Sequence, residues 1–202
     1  MSDINDFQNS LSQMHSSLPA RLRLSQKSIA AHMSASERSG FVFFHTHFFA
    51  SHIDLYRFAL PGFQQKNQRE TLRRLPRDFI EKSQRQAVAH AISLARFCED
   101  IMHETEKLSA SDGEHSAARR MFGDVTIAQM ATQGIRVLLV ALQYGLHEGL
   151  DLAEHSTVPL WRLGTTTGPQ IRQLVDSLIR ISEPWAGVLV MSRHVVRPSY
   201  LP

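Results

Sequence analysis

The chain has 202 residues, of which 43% are hydrophobic and 20% are charged, and this composition excludes a fully disordered chain. The formal net charge is only +3, from 22 Lys and Arg against 19 Asp and Glu, so charge alone does not indicate a nucleic-acid partner. The single cysteine, Cys98, excludes an internal disulfide framework and a cysteine-rich zinc module, and its apolar neighbours favour a small core residue.

Hydropathy predicts no membrane partner. The longest uninterrupted apolar runs, at 185–191 and 137–142, are shorter than the ~18 residues of a spanning helix. Residues 1–19 lack the hydrophobic block of a secretory signal. We therefore expect a soluble, intracellular protein.

Prolines and glycines divide the chain into long intervals that favour helices. The weakly amphipathic segment 3–16 precedes a second helix at 25–33, for which Ser25 is the expected N-cap. A third helix is expected over 36–60, where aromatic and aliphatic residues recur at helical spacing. Its Phe-rich part is apolar nearly all round, which predicts a central, buried position.

A fourth helix is expected from Pro76 to about residue 108, with a polar loop at 109–123. Its predicted buried stripe consists of Phe79, Ile80, Ala87, Ala91, Leu94, Cys98, Ile101 and Met102. A fifth helix follows at 124–146, in which Gly134 indicates close helix packing, and a sixth starts near Pro169 and ends before Pro184.

These elements predict an all-α fold, an irregular multi-helix domain of about five or six helices. We expect a polar N-terminal segment at 1–17, a helical domain at 18–184 and a C-terminal tail at 185–202 that fits either a helix or a short strand.

Eleven histidines are the main candidates for metal or acid–base chemistry. The closest group is His45, His47 and His52, with Asp54 nearby, but it lacks the i, i+4 spacing of a helical zinc site. Satisfied polar positions on a buried helix are therefore favoured over metal ligands. G-x-S-x-G, P-loop and G-x-G-x-x-G motifs are also missing, so we expect neither a catalytic residue nor an enzyme.

The densest basic stretch has Glu70 as its one opposing charge and consists of Lys66, Arg69, Arg73, Arg74 and Arg77. It fits nucleic-acid contact or a nuclear import signal. Stacking residues of a single-strand binding surface are lacking between Phe63 and Phe79, which favours a solvated loop and helix end.

A set of short motifs also occurs in one order along the chain. Phe44-His45 is followed by Asp54-Leu55-Tyr56-Arg57-Phe58 and by Leu60-Pro61-Gly62-Phe63. The flanking motifs are Leu18-Pro19-Ala20-Arg21-Leu22-Arg23, Leu75-Pro76-Arg77-Asp78-Phe79-Ile80, Gln84-Arg85-Gln86 and Gln133-Gly134-Ile135-Arg136-Val137-Leu138-Leu139. The ordered set resembles the later part of the fungal-specific transcription factor domain, the middle homology or regulatory region of fungal zinc-cluster transcription factors.

The resemblance implies a nuclear regulatory domain that controls transcription by protein contact, as a homodimer or with other transcription-regulatory proteins, or by sensing a small-molecule effector. In that family, zinc and DNA belong to an N-terminal module with six cysteines, which this chain lacks, so we expect no cofactor here. A stand-alone helical ligand-binding or metal-binding domain that uses the histidines is the alternative.

Structural roles are expected for the residues that carry the resemblance. Asp54 and Arg57 can pair on one helix face because they lie three residues apart. Tyr56 suits a helix interface, and Pro61-Gly62 suits a sharp turn. The full set is His45, Asp54, Leu55, Tyr56, Arg57, Leu60, Pro61, Gly62, Phe63 and Arg136.

Overall fold

The computed structural model describes residues 2–35, 38–63, 68–112, 125–148, 160–162 and 166–183. These residues form an all-α multi-helix domain, as predicted, and no strand occurs among them. The helices are α1 (Ser2–Ser16), α2 (Gln26–Met33), α3 (Arg38–Tyr56), α4 (Gln68–Arg73), α5 (Arg77–Asp112), α6 (Val125–Tyr144) and α7 (Gly168–Ser182), with 3-10 turns at Ala20–Leu22 and Arg57–Ala59.

Local capping explains why two helices begin where the sequence predicts. At the start of α2, Ser28 N–H donates to Ser25 Oγ (3.0 Å) and Ser25 N–H donates to Ser28 Oγ (2.9 Å), which is a capping box. At α7, the Gln170 side chain accepts a hydrogen bond from Thr167 N–H (2.8 Å), and a proline lies in the first turn. Both starts therefore follow from interactions within one turn.

Helix α5 is the centre of the fold. It packs against α2, α3, α6 and α7, and every residue from 86 to 95 is buried. The predicted burial of the Phe-rich part of α3 is confirmed for Phe41, Phe48 and Phe49, but Phe43 remains 40% exposed, so α3 is less enclosed than α5. Small side chains on α5 explain the difference, since alanines let neighbouring helices approach from every side; they are Ala87, Ala89, Ala91 and Ala95.

Other boundaries differ from those predicted. The buried surface of α5 is wider than the predicted stripe, and at its edges Phe79, Ile80 and Met102 are only half-buried. Helix α5 continues to Asp112 into the predicted loop, while 113–123 and the tail at 185–202 lie outside the described residues. In α1, Leu11 is buried in the core beside α3, so the predicted polar segment at 1–17 contributes to packing.

The structure confirms the predicted close packing at Gly134. A Cβ atom built there would lie 3.1 Å from Leu178 Cδ1 and 3.2 Å from Leu94 Cδ2. Glycine therefore lets α6 approach both α5 and α7 at this level. Cys98 is buried too, and burial raises the pKa of its thiol to about 12, as fits a core residue.

Among the described residues, one helix has the length and composition to cross a membrane, namely α6. Half of its apolar window is buried against other helices, and the core helix of a soluble protein has the same features. Counting uninterrupted apolar runs missed this helix because Gln133 and Arg136 interrupt it.

Two glycine substitutions test the packing. Gly134→Leu should lower the free energy of unfolding by about 1–3 kcal/mol, because the new side chain overlaps two packed leucines. Gly40→Ala should raise it by up to about 1 kcal/mol, since a Cβ at this position in α3 meets nothing within 4 Å. Urea unfolding measures both, and equal effects would contradict the packing at Gly134.

Candidate functional site

Motifs that are far apart in sequence contact one another in the fold. His45 Nε2 donates to the Leu22 carbonyl oxygen (2.9 Å), which joins the motif at 18–23 to α3. Gln84 Nε2 donates to the Ala59 carbonyl oxygen (2.9 Å), which joins α5 to the 3-10 turn that follows α3. The ordered motifs therefore belong to one packed unit.

A cation–π contact joins two further motifs. The Arg136 guanidinium carbon on α6 lies 4.9 Å from the centre of the Phe63 ring. Phe63 reaches this place through a turn, in which its N–H donates to the Leu60 carbonyl oxygen (3.3 Å). Gly62 has φ +80° in this turn, which side-chain-bearing residues rarely adopt, and Pro61 precedes it as in a type II turn.

The remaining motif residues support the end of α3. Arg57 Nε and Asp54 Oδ1 are 2.9 Å apart, so the predicted ion pair is confirmed. Tyr56 is buried, and burial raises the pKa of its hydroxyl to about 12. Leu60 is fully buried and Leu55 packs against the core. These are scaffold roles, as the resemblance implies.

A stacked histidine pair lies in the core between α3 and α5. The rings of His52 and His90 are 4.2 Å apart and inclined by 10°, and both residues are 0% exposed. No described residue forms a hydrogen bond with any of their four ring nitrogens. The prediction of a satisfied polar position is therefore wrong for His52.

Sequence reasoning missed His90 because it concentrated on the histidines of α3. The available signal was a lone histidine within an alanine-rich run that lacks charge, at 87–95. His47, another candidate on α3, is not part of this pair and packs against Phe43, with the two ring centres 4.1 Å apart. Within the described ranges, no three His, Cys, Asp or Glu side chains are grouped so that they could hold a metal ion.

Burial keeps these histidines neutral near pH 7. Desolvation lowers the pKa of His45 to about 4, although its hydrogen bond to Leu22 acts in the opposite direction. Desolvation also lowers the pKa of His52 to about 4 and that of His90 well below the ordinary value. Neutral His45 carries its proton on Nε2, so Nδ1 is an acceptor.

A cavity of about 420 Å³ opens beside α3. Its buried wall comprises Phe48 and Phe49 together with the ring of His45. Half-buried Leu24, Leu160 and Trp161 continue the apolar lining. Exposed Arg23 and Arg162 lie on the solvent side, and His15 completes the described lining.

Hydrogen bonds fix both arginines. Arg23 donates from Nε to the Leu18 carbonyl oxygen (3.0 Å) and from Nη2 to that of Ser16 (3.1 Å). Arg162 Nη1 donates to Asp100 Oδ1 at 2.6 Å. The cationic groups are therefore held in place at the cavity rather than free in solvent.

Asp100 also attaches the segment 160–162 to α5. Its second oxygen accepts a hydrogen bond from Trp161 Nε1 (2.7 Å), and Ser93 Oγ accepts one from Trp161 N–H (3.1 Å). Both acceptors lie on α5, so one side of the cavity is positioned by the central helix.

Two arginines of the basic stretch form exposed ion pairs. Arg74 pairs with Glu70 (3.3 Å) and Arg77 with Glu81 (2.8 Å). Arg73 is exposed on α4; Lys66 and the side chain of Arg69 lie outside the described parts of the chain. These contacts favour the solvated-surface interpretation.

The histidines predict a pH dependence of stability. A histidine whose pKa is lowered by folding stabilises the native state above pH 6.5 and loses that contribution as the pH falls towards about 4. Each such residue adds about 1.4 kcal/mol per pH unit to the slope within this window. His90→Leu should lower the slope, because burial lowers the pKa of His90 well below its ordinary value, and urea unfolding from pH 4 to 7 measures the change.

His103→Leu is the matched control, because His103 lies on the same helix with its side chain in solvent. This variant should keep the slope of the unchanged protein. An unaltered slope in His90→Leu would contradict the burial of a neutral His90.

Comparison of the chain with protein-family models, with curated proteins and with solved structures finds no match in any of the three. The resemblance to the fungal regulatory region therefore remains a prediction from the motifs of the sequence.

Proposed function

We propose that this chain is a regulatory domain of the fungal zinc-cluster transcription factor type. It acts in the nucleus, without catalysis, through contacts with other transcription-regulatory proteins, as a homodimer, or by sensing an effector. DNA is reached through a zinc-cluster module that is not among these residues.

The order of the short motifs along the sequence carries this proposal, and contacts between them are compatible with it. His45 bonds to Leu22, and Arg136 packs over Phe63, so residues 23 and 73 positions apart meet through motif side chains. Residues that carry a family resemblance are expected to form the shared scaffold of its fold. Core segments of any packed helical domain contact one another, so these contacts are compatible with the proposal but do not identify the family.

The alternative is a helical ligand-binding domain that acts without a transcription partner. The 420 Å³ cavity favours it, because small-molecule sites are concave and largely apolar with a few polar groups. Both functions are compatible with one fold, but they differ in whether the chain changes the output of an activator.

A reporter assay tests the proposal. The whole chain is inserted between a heterologous DNA-binding domain and an activation segment in a yeast reporter strain. We expect reporter output to change at least threefold relative to a fusion that carries an inert helical domain of equal length. Immunoblotting checks that both fusions are equally abundant.

Two packing variants are the controls. Gly40→Ala should preserve the effect on the reporter, because its site is open, whereas Gly134→Leu should reduce it by disturbing the core. Output equal to that of the inert fusion, with the chain folded and abundant, would overturn the proposal. Where circular dichroism shows that Gly134→Leu is unfolded, an equal effect of this variant on the reporter would indicate a spacer effect and contradict the proposal as well.

A further inference from the structure

We infer that the cavity beside α3 binds an amphipathic carboxylic acid, with the carboxylate at Arg23 and Arg162 and the apolar body against Phe48 and Phe49. This inference deepens the proposed regulatory function by naming the chemical class of the effector. Binding itself is a property of the cavity and is measured without a transcription assay.

The charge at the cavity selects an anion. Both ionised side chains on the described lining are arginines, and a carboxylate is missing from that lining. Asp100 forms an ion pair with Arg162 (2.6 Å) and offsets its charge, whereas Arg23 bonds only to backbone carbonyl oxygens and keeps its full positive charge. Arg96 interacts electrostatically with Arg162, but also with Glu99 and Asp100, so it adds no net positive charge there.

The histidines of the lining add little charge. Burial and the nearby Arg23 lower the pKa of His15, and burial lowers that of His45 to about 4. At neutral pH the positive field therefore comes from guanidinium groups. Guanidinium forms paired hydrogen bonds with a carboxylate, which favours this anion over a neutral polar group.

The arginines are prepared for such a ligand. Arg23 uses Nε and Nη2 on backbone carbonyls, which carry no net charge, and a guanidinium has five N–H donors. Its charge thus remains available although its position is fixed. Preorganisation of this kind lowers the entropy cost of binding.

The polarity of the cavity sets the orientation of the ligand. Both arginines of the lining are exposed, whereas Phe48 and Phe49 are only 3% and 1% exposed. Leu24, Leu160 and Trp161 are half-buried, so their exposure is between that of the arginines and that of the phenylalanines. A ligand with one charged end and an aromatic or aliphatic body matches this gradient, and the volume of 420 Å³ lies in the usual range for small-molecule sites.

A set of three matched probes tests the inference: 4-phenylbutyrate, 4-phenylbutyramide and 4-phenylbutylamine. The chain has two tryptophans, so Trp185→Phe leaves Trp161 of the cavity as the reporter of binding. Fluorescence titration at pH 7 and calorimetry on the unsubstituted chain give the affinities. We expect saturable 1:1 binding of the acid, at least tenfold tighter than that of the amide, and no binding of the amine.

Charge-removing variants locate the site. Arg23→Gln and Arg162→Gln should each lower the affinity for 4-phenylbutyrate at least fivefold and leave the affinity for 4-phenylbutyramide unchanged. Arg172→Gln is the control, because Arg172 is an exposed arginine of α7 that is not part of the lining. Circular dichroism checks the fold of each variant, and the comparison of acid with amide requires no substitution at either arginine.

Equal affinity for acid and amide would overturn the inference, as would tighter binding of the amine or no binding of the acid at millimolar concentration. An equal loss of affinity for 4-phenylbutyrate in the control variant Arg172→Gln would overturn it too. Acid binding without a reporter effect would contradict the regulatory function alone, and a reporter effect without acid binding would contradict the ligand class alone.

Discussion

The enclosure of α5 is the constraint on which the rest of the structure depends. A helix buried around its whole circumference from residue 86 to 95 needs neighbours on every side, and α2, α3, α6 and α7 supply them. Small side chains make this possible, since alanine lets two helix backbones approach closely. Gly134 also lets α6 approach closely, because Leu94 of α5 and Leu178 of α7 occupy the space that a side chain at this position would need. Packing, more than intrinsic helix propensity, therefore determines the arrangement.

Enclosure also decides what the polar residues of α5 can do. His90 is sealed against His52 without a protein partner among the described residues, and an unsatisfied buried group of this kind costs about 1–3 kcal/mol. Ser93 and Asp100 lie seven residues apart, two turns along the same face, and both bond to Trp161. His90 therefore lowers the stability of the core at low pH. Ser93 and Asp100 instead hold the segment 160–162, which forms one side of the cavity.

Helix positions could be predicted from the sequence because their signals are local. Ser25 caps α2, Pro61-Gly62 turns the chain after α3, and Asp54 pairs with Arg57 within one turn. Enclosure of α5 could not be predicted, because an apolar stripe does not reveal how many neighbours a helix has. The cavity could not be predicted either, since its lining joins residues as distant as His15 and Arg162. Such contacts depend on tertiary packing, which periodicity does not encode.

His45 connects the scaffold with the cavity. Its Nε2 bonds to the Leu22 carbonyl oxygen, and its ring lines the cavity. Leu22 is followed directly by Arg23 and Leu24, which belong to the same lining, so this hydrogen bond sets the distance between the N-terminal part of the wall and α3. Asp100 sets the position of the opposite part through Trp161 and Arg162. A ligand in the cavity would therefore contact two segments that are held separately, one by α3 through His45 and the other by α5 through Asp100.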